Sequence, residues 1–205
     1  MGKVTADMSV SLDGFVAGPN DGPENGLGDG GERLHEWMYN LASWRERHSL
    51  AGGEVNPDAE ILDEAFRNVG AAVMGRRMFD IAEQAWGNNP PFHVPVFVVT
   101  HRVREKAVKE GGTSFIFVTD GIESALKQAK AAAGDKDISV AGGPNIIQQF
   151  LRAGFLDEIQ IHLVPLLLGG DRPLFDRSGT DQIELEANRV IGSPGVTHLR
   201  FRVVK

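Results

Sequence analysis

Cysteine is absent from the 205 residues. That excludes disulfides, a thiol nucleophile and any cysteine-based metal site. Basic runs are missing too. The net charge is −7, with 21 Lys and Arg against 28 Asp and Glu. Nucleic-acid surfaces need clustered cations, so no nucleic-acid partner is expected. No apolar run approaches the ~18 residues a bilayer span requires, and no membrane partner is expected. The start, "MGKVTADMSV", has no basic region followed by an apolar stretch, so it does not read as a signal peptide. A cytoplasmic protein fits these absences. The six histidines show no H-E-x-x-H or related spacing, so no catalytic metal is expected. No serine sits in a G-x-S-x-G elbow, which removes the common acyl-transfer triad.

What remains is a globular composition, 41% hydrophobic and 24% charged. At this length one core can be buried without staples. The stretch from Val4 to Leu12 alternates, with Val4, Ala6, Met8, Val10 and Leu12 on one side and Thr5, Asp7, Ser9 and Ser11 on the other, the period of a strand. Asp13-Gly14 breaks it. Residues 18–31 are rich in Gly, Asp, Asn and Pro and read as a long loop. Leu34, Trp37, Met38, Leu41 and Trp44 fall at helical spacing. A helix follows, capped by Asn56, with Pro57 in its first turn, a stripe of Ile61, Leu62, Ala65, Phe66 and Val69, and Gly70 as its end. Strands then alternate with helices. "AAVM", "VPVFVVT", "SFIFVT", "ISVA" and "EIQIHLVP" read as strands; "RRMFDIAEQ", "GIESALKQAKAAAG" and "NIIQQFLRAG" read as helices. "QIELEANRV" and "THLRFRVV" flank "IGSPG" as a hairpin. The reading is an α/β domain over 1–205, with a mixed, mostly parallel sheet flanked by helices, a C-terminal antiparallel hairpin and an insertion at about 18–56.

Three apolar strands end in chemically pointed residues. "SVAGGPNIIQQFL" runs a strand into two glycines and a helix start. Exposed helix N–H groups and absent side chains suit an anion, and Pro144 suits a helix start. The same residues also make a plain strand–helix turn. "AAVMGRRMFD" ends a strand at Gly75 and opens a helix with Arg76 and Arg77. Cations oppose the dipole there, so the pair either grips a phosphate or lies in solvent. "VFVVTHR" ends a third strand at Thr100, His101 and Arg102, a second phosphate site or a polar loop. Ligands of open α/β sheets bind at the carboxyl ends of strands, which favours reading the three together. His162 falls in a strand and reads as a packed histidine. Trp37 and Trp44 read as core or pocket wall. Asp13 reads as a turn former or as a ligand for an amine or ribose.

Taken together these motifs resemble the dihydrofolate reductase-like superfamily, most of all the reductase domain of the bifunctional riboflavin-biosynthesis deaminase-reductase and its stand-alone bacterial relatives. "MSVSLDGFVAG", "VMGRRMFD", "VFVVTHR", "SVAGGPNIIQQFL" and "FLDEIQIHLVPLLLGGDRPLF" carry the likeness. It covers all but about 21–56. The resemblance implies an NADPH-dependent reductase of a small heterocyclic substrate, its nearest named activity being 5-amino-6-(5-phosphoribosylamino)uracil reduction. A dinucleotide-binding protein without turnover is the alternative, and a true dihydrofolate reductase a more remote one, because no acidic residue in a first helix stands out as a pterin ligand. The resemblance places Val16 and Ala17 near the nicotinamide, and Gly75, Arg76 and Arg77 beside the pyrophosphate. It places Thr100, His101 and Arg102 at the adenosine ribose and its 2′-phosphate. Ala141, Gly142, Gly143, Pro144, Asn145 and Ile146 form the pyrophosphate turn, with Gly142–Gly143 a cis peptide. Asp13 is a guess for proton delivery, and Asp13, Trp37 and Trp44 border the substrate. Relatives are often homodimers, and "VPLLLGGDRPLF" suits either an interface or core.

Overall fold

The computed structural model describes residues 2–176 and 182–205. Its strands are β1 (Val4–Ser11), β2 (Val69–Gly75), β3 (Pro95–Val99), β4 (Ala107–Val108), β5 (Ser114–Val118), β6 (Asp137–Gly142), β7 (Glu158–Val164), β8 (Leu185–Ser193) and β9 (Val196–Val203). Its α-helices are α1 (Glu36–Tyr39), α2 (Ala42–Arg47), α3 (Pro57–Arg67), α4 (Arg76–Trp86), α5 (Gly121–Ala133) and α6 (Pro144–Arg152). One sheet runs in the order β4-β5-β3-β2-β6-β1-β7-β9-β8. The six strands from β5 to β7 are parallel, while β4, β9 and β8 pair antiparallel. The expected mixed sheet and terminal hairpin are present. Among the described residues only the two-residue β4 is additional, too short to leave a periodic signal.

Helices cover both faces. Ala71 and Val73 of β2 point into a core closed by α5 and α6 through Leu126, Ala129, Ile147 and Phe150. Ala72 and Met74 point the other way, into a core built on Phe79 of α4 and on Phe115. Phe79 is fully buried and meets Phe115 and Phe117 edge-on at 4.9 and 5.1 Å, the geometry aromatic quadrupoles favour. The central strands are covered on both faces, so their sequences read as near-continuous apolar runs.

Two expectations need correction, and β1 adds a point about its faces: on its polar side Ser9 and Ser11 are buried while Asp7 keeps partial exposure, and Leu12 just past the strand is 60% exposed. β1 lies inside the sheet with layers on both sides, so alternation marks two covered faces of different polarity. Next, α3 ends at Arg67, and Val69 and Gly70 open β2. Gly70 is there for packing, because a Cβ would lie 2.8–2.9 Å from Lys136 and Ala133. The Asn56 cap holds, its side chain accepting from the Ala59 N–H at 3.0 Å. Finally, the helical stripe from Leu34 to Trp44 is broken into a 3₁₀ turn (Gly31–Leu34), α1 and α2. The backbone between them turns aside to bond Glu54, whose N–H donates to the Asn40 carbonyl and whose carbonyl accepts from Ala42. The short pieces stay together through a small core of Leu41, Ala59 and Leu62, against which Trp37, Met38, Trp44 and Phe66 pack. Leu167 is 73% exposed, so the leucine run after β7 is not simply core. No described helix is long and apolar enough to cross a membrane.

Candidate functional site

Because β3, β2, β6 and β1 are parallel neighbours, their carboxyl ends share one edge. Strand spacing of ~4.8 Å makes the distance from β3 to β1 roughly 14 Å. The three motif loops and the turn after β1 therefore form one row.

At its centre the β2 and β6 exits touch. A Cβ on Gly75 would lie 2.8 Å from Ile146 Cγ1 and 3.8 Å from the Gly142 carbonyl oxygen. The approach requires glycine at 75 and seats the buried Ile146 over it. Gly142 has φ +111° and lies between two methionines, where a Cβ would meet Met8 Sδ at 3.3 Å and Met78 Sδ at 3.6 Å. The Gly142–Gly143 peptide is cis. Gly143 is the N-cap of α6 without a side-chain cap, and Pro144 occupies the first turn. A Cβ on Gly143 would meet nothing within 4 Å, so space beside this helix start is open. Asn145 and Ala141 flank it, and the Asn145 side chain accepts from Gln149 at 2.6 Å.

The β3 exit is a hydroxyl-stabilised turn. Thr100 is buried, and its Oγ1 accepts the Arg102 N–H at 3.0 Å. This presents His101 and Arg102 to solvent. Neither side chain forms an ion pair with any described residue. Arg76 and Arg77 differ. Arg76 pairs with Asp80 one turn on, at 2.6 Å, and Arg77 with Asp21 at 2.6 Å. Asp21 also meets Arg172 at 3.3 Å. Partial burial of Asp21 works to raise its pKa, but Arg77 and Arg172 outweigh it and hold the carboxyl below its ordinary value. The electrostatic oddity of two arginines at a helix start is thus resolved within the chain. Asp21, in a glycine-rich loop, carried no signal of this role.

Past β1, Val16 and Ala17 are buried. The Val16 N–H donates to the Arg172 carbonyl at 3.0 Å. Asp13 caps the opposite loop, accepting from the N–H groups of Leu168 at 3.0 Å and Gly169 at 2.8 Å and from the Ser11 hydroxyl. Desolvation pushes its carboxyl up, and these three donors more than offset that, leaving it below the usual range. An ionised acceptor has no proton to give at neutral pH, so the geometry favours loop positioning over the proton delivery expected of Asp13.

The two tryptophans part company. Trp44 stacks on His48 at 3.8 Å within the insertion. Trp37 reaches the sheet, donating Nε1–H to Ser9 Oγ at 3.1 Å and lying over His162 and His198 at 4.6 and 5.1 Å. Beneath it Asp58 of α3 bonds His198 Nε2 at 3.0 Å. Asp58, in the first turn of α3, is thereby tied to β9 of the sheet, a contact that local pattern does not signal.

His35, just before α1, is pushed down to about 4 by burial, with Glu32 opposing and His162 adding to the shift. Between pH 4 and the ordinary 6.5 the unfolded chain binds this proton and the folded chain does not. Stability is therefore full above pH 6.5 and lost as pH falls toward 4, by on the order of 2–3 kcal/mol. His35→Gln is expected to flatten that part of a urea-unfolding profile; an unchanged acid limb would refute the assignment.

Comparison with known proteins agrees with this architecture. Protein YyaP of Bacillus subtilis strain 168 is 25% identical over 179 residues, covering 84% of this chain and 80% of that protein. The solved structure of RibD from Acinetobacter baumannii superposes with a TM-score of 0.63 at 15% identity, over 100% of this chain and 59% of that one. Dihydrofolate reductase from Enterococcus faecalis, complexed with NADP(H), superposes with a TM-score of 0.54 at 10% identity, over 100% and 98%. Both structures show a shared fold. The model of the RibD C-terminal domain matches residues 2–198, nearly the whole length, and the chain belongs to that family.

Proposed function

We propose that the protein is an NADPH-dependent reductase of a small heterocyclic or imine-like substrate. Family membership supports an oxidoreductase. The observation that carries the finer reading is the edge itself. An open, glycine-lined helix start at Gly142–Gly143 and an Arg102 without an ion pair among the described residues lie two strands apart on it. That is the layout a dinucleotide diphosphate and a more distant phosphate monoester require. The complex of the Enterococcus faecalis reductase with NADP(H) supports the choice of cofactor.

When bound, the cofactor supplies the hydride. The chain supplies the rest. The first turn of α6 and the backbone from Ala141 to Ile146 receive the diphosphate, with Gly75, Arg76 and Arg77 bordering it. Thr100 holds the turn that presents His101 and Arg102 to the adenosine side. Val16 and Ala17, buried beside the β1 exit, orient the nicotinamide and keep water out. Asp13 holds the 168–169 backbone against that exit, and Trp37 closes the polar face of the sheet beside it.

The test is fluorescence titration with NADPH and NADH, followed by substrate-dependent oxidation of NADPH, with the ribosylaminopyrimidine of riboflavin synthesis as the first substrate tried. Saturable NADPH binding with turnover is the expected result. Absence of binding by both dinucleotides would overturn the reading. A dinucleotide-binding protein without turnover is the second reading. It is favoured by Trp37, which fills the face over His162 and His198, and would show as binding without oxidation across a broad substrate panel.

A further inference from the structure

Four buried or half-buried titratable groups form a continuous row on the polar face of the sheet. Asp7 Oδ1 lies 2.8 Å from His162 Nε2. His162 Nδ1 lies 2.6 Å from His198 Nδ1. His198 Nε2 lies 3.0 Å from Asp58 Oδ1, which also receives the Ser193 hydroxyl. The two imidazoles are 1% and 2% exposed. The row joins β1, β7, β9, α3 and β8, and Trp37 of the insertion lies on top of it.

Counting protons along this row leads to a definite charge state. Each Nε2 faces a carboxylate and must be the donor. If both rings were neutral, both Nδ1 atoms would be bare, and two lone pairs would face each other at 2.6 Å. A fully protonated pair would instead set two N–H groups against each other. Three hydrogen bonds need three protons, and two neutral imidazoles carry two. Turning either ring over would put carbon against a carboxylate. We propose that the Asp7–His162–His198–Asp58 row is a proton-binding site, holding one proton beyond those of two neutral imidazoles and using it to clamp α3 and Trp37 onto the sheet.

The surroundings suit that charge. Carboxylates flank the pair at both ends, and the Trp37 ring lies 4.6 Å from the His162 ring and 5.1 Å from the His198 ring, within the range of a cation–aromatic attraction. Burial and the neighbouring His162 outweigh the pull of Asp58 and Asp7 and hold His198 below its ordinary value, so a second extra proton is refused. His35 feels His162 from the insertion side and is itself held neutral to about pH 4. Arg200, further along β9, is engaged by Glu158 and Glu64. Exchange with solvent has a route. Asp7, with a side chain 30% exposed, lines a cavity of about 50 Å³ with Ser139 and Gln160. The buried Gln160 Nε2 has no partner among the described residues, and such a cavity has room for ordered water.

The sign of the pH dependence follows from the count. The folded row holds one extra proton. Unfolded, the two histidines take up nearly two below their ordinary value of about 6.5 and nearly none above it. This row therefore stabilises most near pH 6.5, and its contribution falls on both sides. The alkaline side is diagnostic, because His35 is neutral throughout it.

The decisive measurement is a ring-nitrogen NMR count on wild-type protein labelled with ¹⁵N-histidine, at pH 7.5. Three nitrogen-bound protons on the coupled pair, one shared between the Nδ1 atoms, are expected. Two protons, with both Nδ1 atoms bare, would overturn the proposal. Urea unfolding from pH 6.5 to 8.5 gives an independent reading with His198→Gln, whose amide donates to His162 Nδ1 without an extra proton. Relative to that variant, the wild-type unfolding constant should rise with pH, approaching tenfold per unit for one linked proton. Parallel profiles would also overturn it. If His198→Gln does not fold, the wild-type proton count decides alone. Neither readout uses the cofactor or a substrate, so failure here and failure of the reductase reading are separate results.

Discussion

Arg102→Ala should weaken NADPH binding about 10- to 100-fold and leave NADH binding nearly unchanged. A charge-assisted hydrogen bond contributes roughly 1.5–3 kcal/mol, and each ~1.4 kcal/mol is a factor of ten. Arg102 is exposed and makes no ion pair among the described residues, so its charge is uncommitted. Its backbone N–H, not its side chain, holds the Thr100 turn. The substitution should therefore move stability by less than about 0.5 kcal/mol, as surface changes usually do. Arg102→Lys should recover only part of the affinity, because an ammonium lacks the planar fork. The measurement is a pair of fluorescence titrations at low and high salt. NADPH binding should lose salt sensitivity in the alanine variant. Equal losses for NADPH and NADH would remove Arg102 from the 2′-phosphate site and leave the cofactor to be placed differently along the edge.

Gly170→Ala should have the opposite signature, with a large loss of stability and equal weakening of both dinucleotides. Gly170 has φ +152°, and a Cβ there would lie 2.5 Å from the Ala17 carbonyl oxygen and 3.4 Å from Gly18 C. Both contacts are backbone, so neither yields by a side-chain rotation. The segment is tied down on both sides, before Gly170 by the Leu168 and Gly169 N–H groups to Asp13 at 3.0 and 2.8 Å, and after it by Val16 N–H to the Arg172 carbonyl at 3.0 Å and Leu174 N–H to the Gly14 carbonyl at 2.9 Å. Strain of this kind costs about 1–3 kcal/mol, and displacement of the buried Ala17 adds to it, giving roughly 2–4 kcal/mol in total. Gly154→Ala is the control. Gly154 also has positive φ, at +68°, but open space around its Cβ position, so it should cost only about 1 kcal/mol. If the two variants unfold at the same urea concentration, the contact with Ala17 is not what Gly170 is for. If Gly170→Ala is destabilised yet binds both dinucleotides normally, Val16 and Ala17 do not orient the nicotinamide.

The elements of the parallel sheet were readable from local pattern because their signals are local. A four- or five-residue apolar run ending in Gly or Thr, followed by a helical stripe, needs no distant partner to be recognised. Asn56 at a helix start and Gly134 at a helix end work the same way, since caps satisfy backbone groups within a turn of themselves. The strand-end motifs were legible for the same reason. Parallel strands bring all their carboxyl ends to one edge, so the order of motifs in the chain already implied a row of loops.

The insertion was legible only as an interruption. Leu34, Trp37, Met38, Leu41 and Trp44 have helical spacing, yet the backbone breaks at Leu41 to pair with Glu54, which lies 13 residues further on. Periodicity carries no information about such a partner. The side-chain pairings were equally hidden. Arg77 finds Asp21 across 56 residues, His162 finds Asp7 across 155, and His198 finds Asp58 across 140. None of these pairs shares a motif.

The sequence by itself determined the strand and helix types, the alternation that makes the sheet parallel, and the placement of Gly75, Thr100 and Gly142 at strand exits, because each follows from bonds and sterics within a few residues. Tertiary structure alone decided which charges are free and which are spent. Asp13 and Arg77 are committed to holding loops, Arg102 is left open, and two histidines in separate strands meet across one hydrogen bond, because pairing at such separations depends on the packing of whole layers.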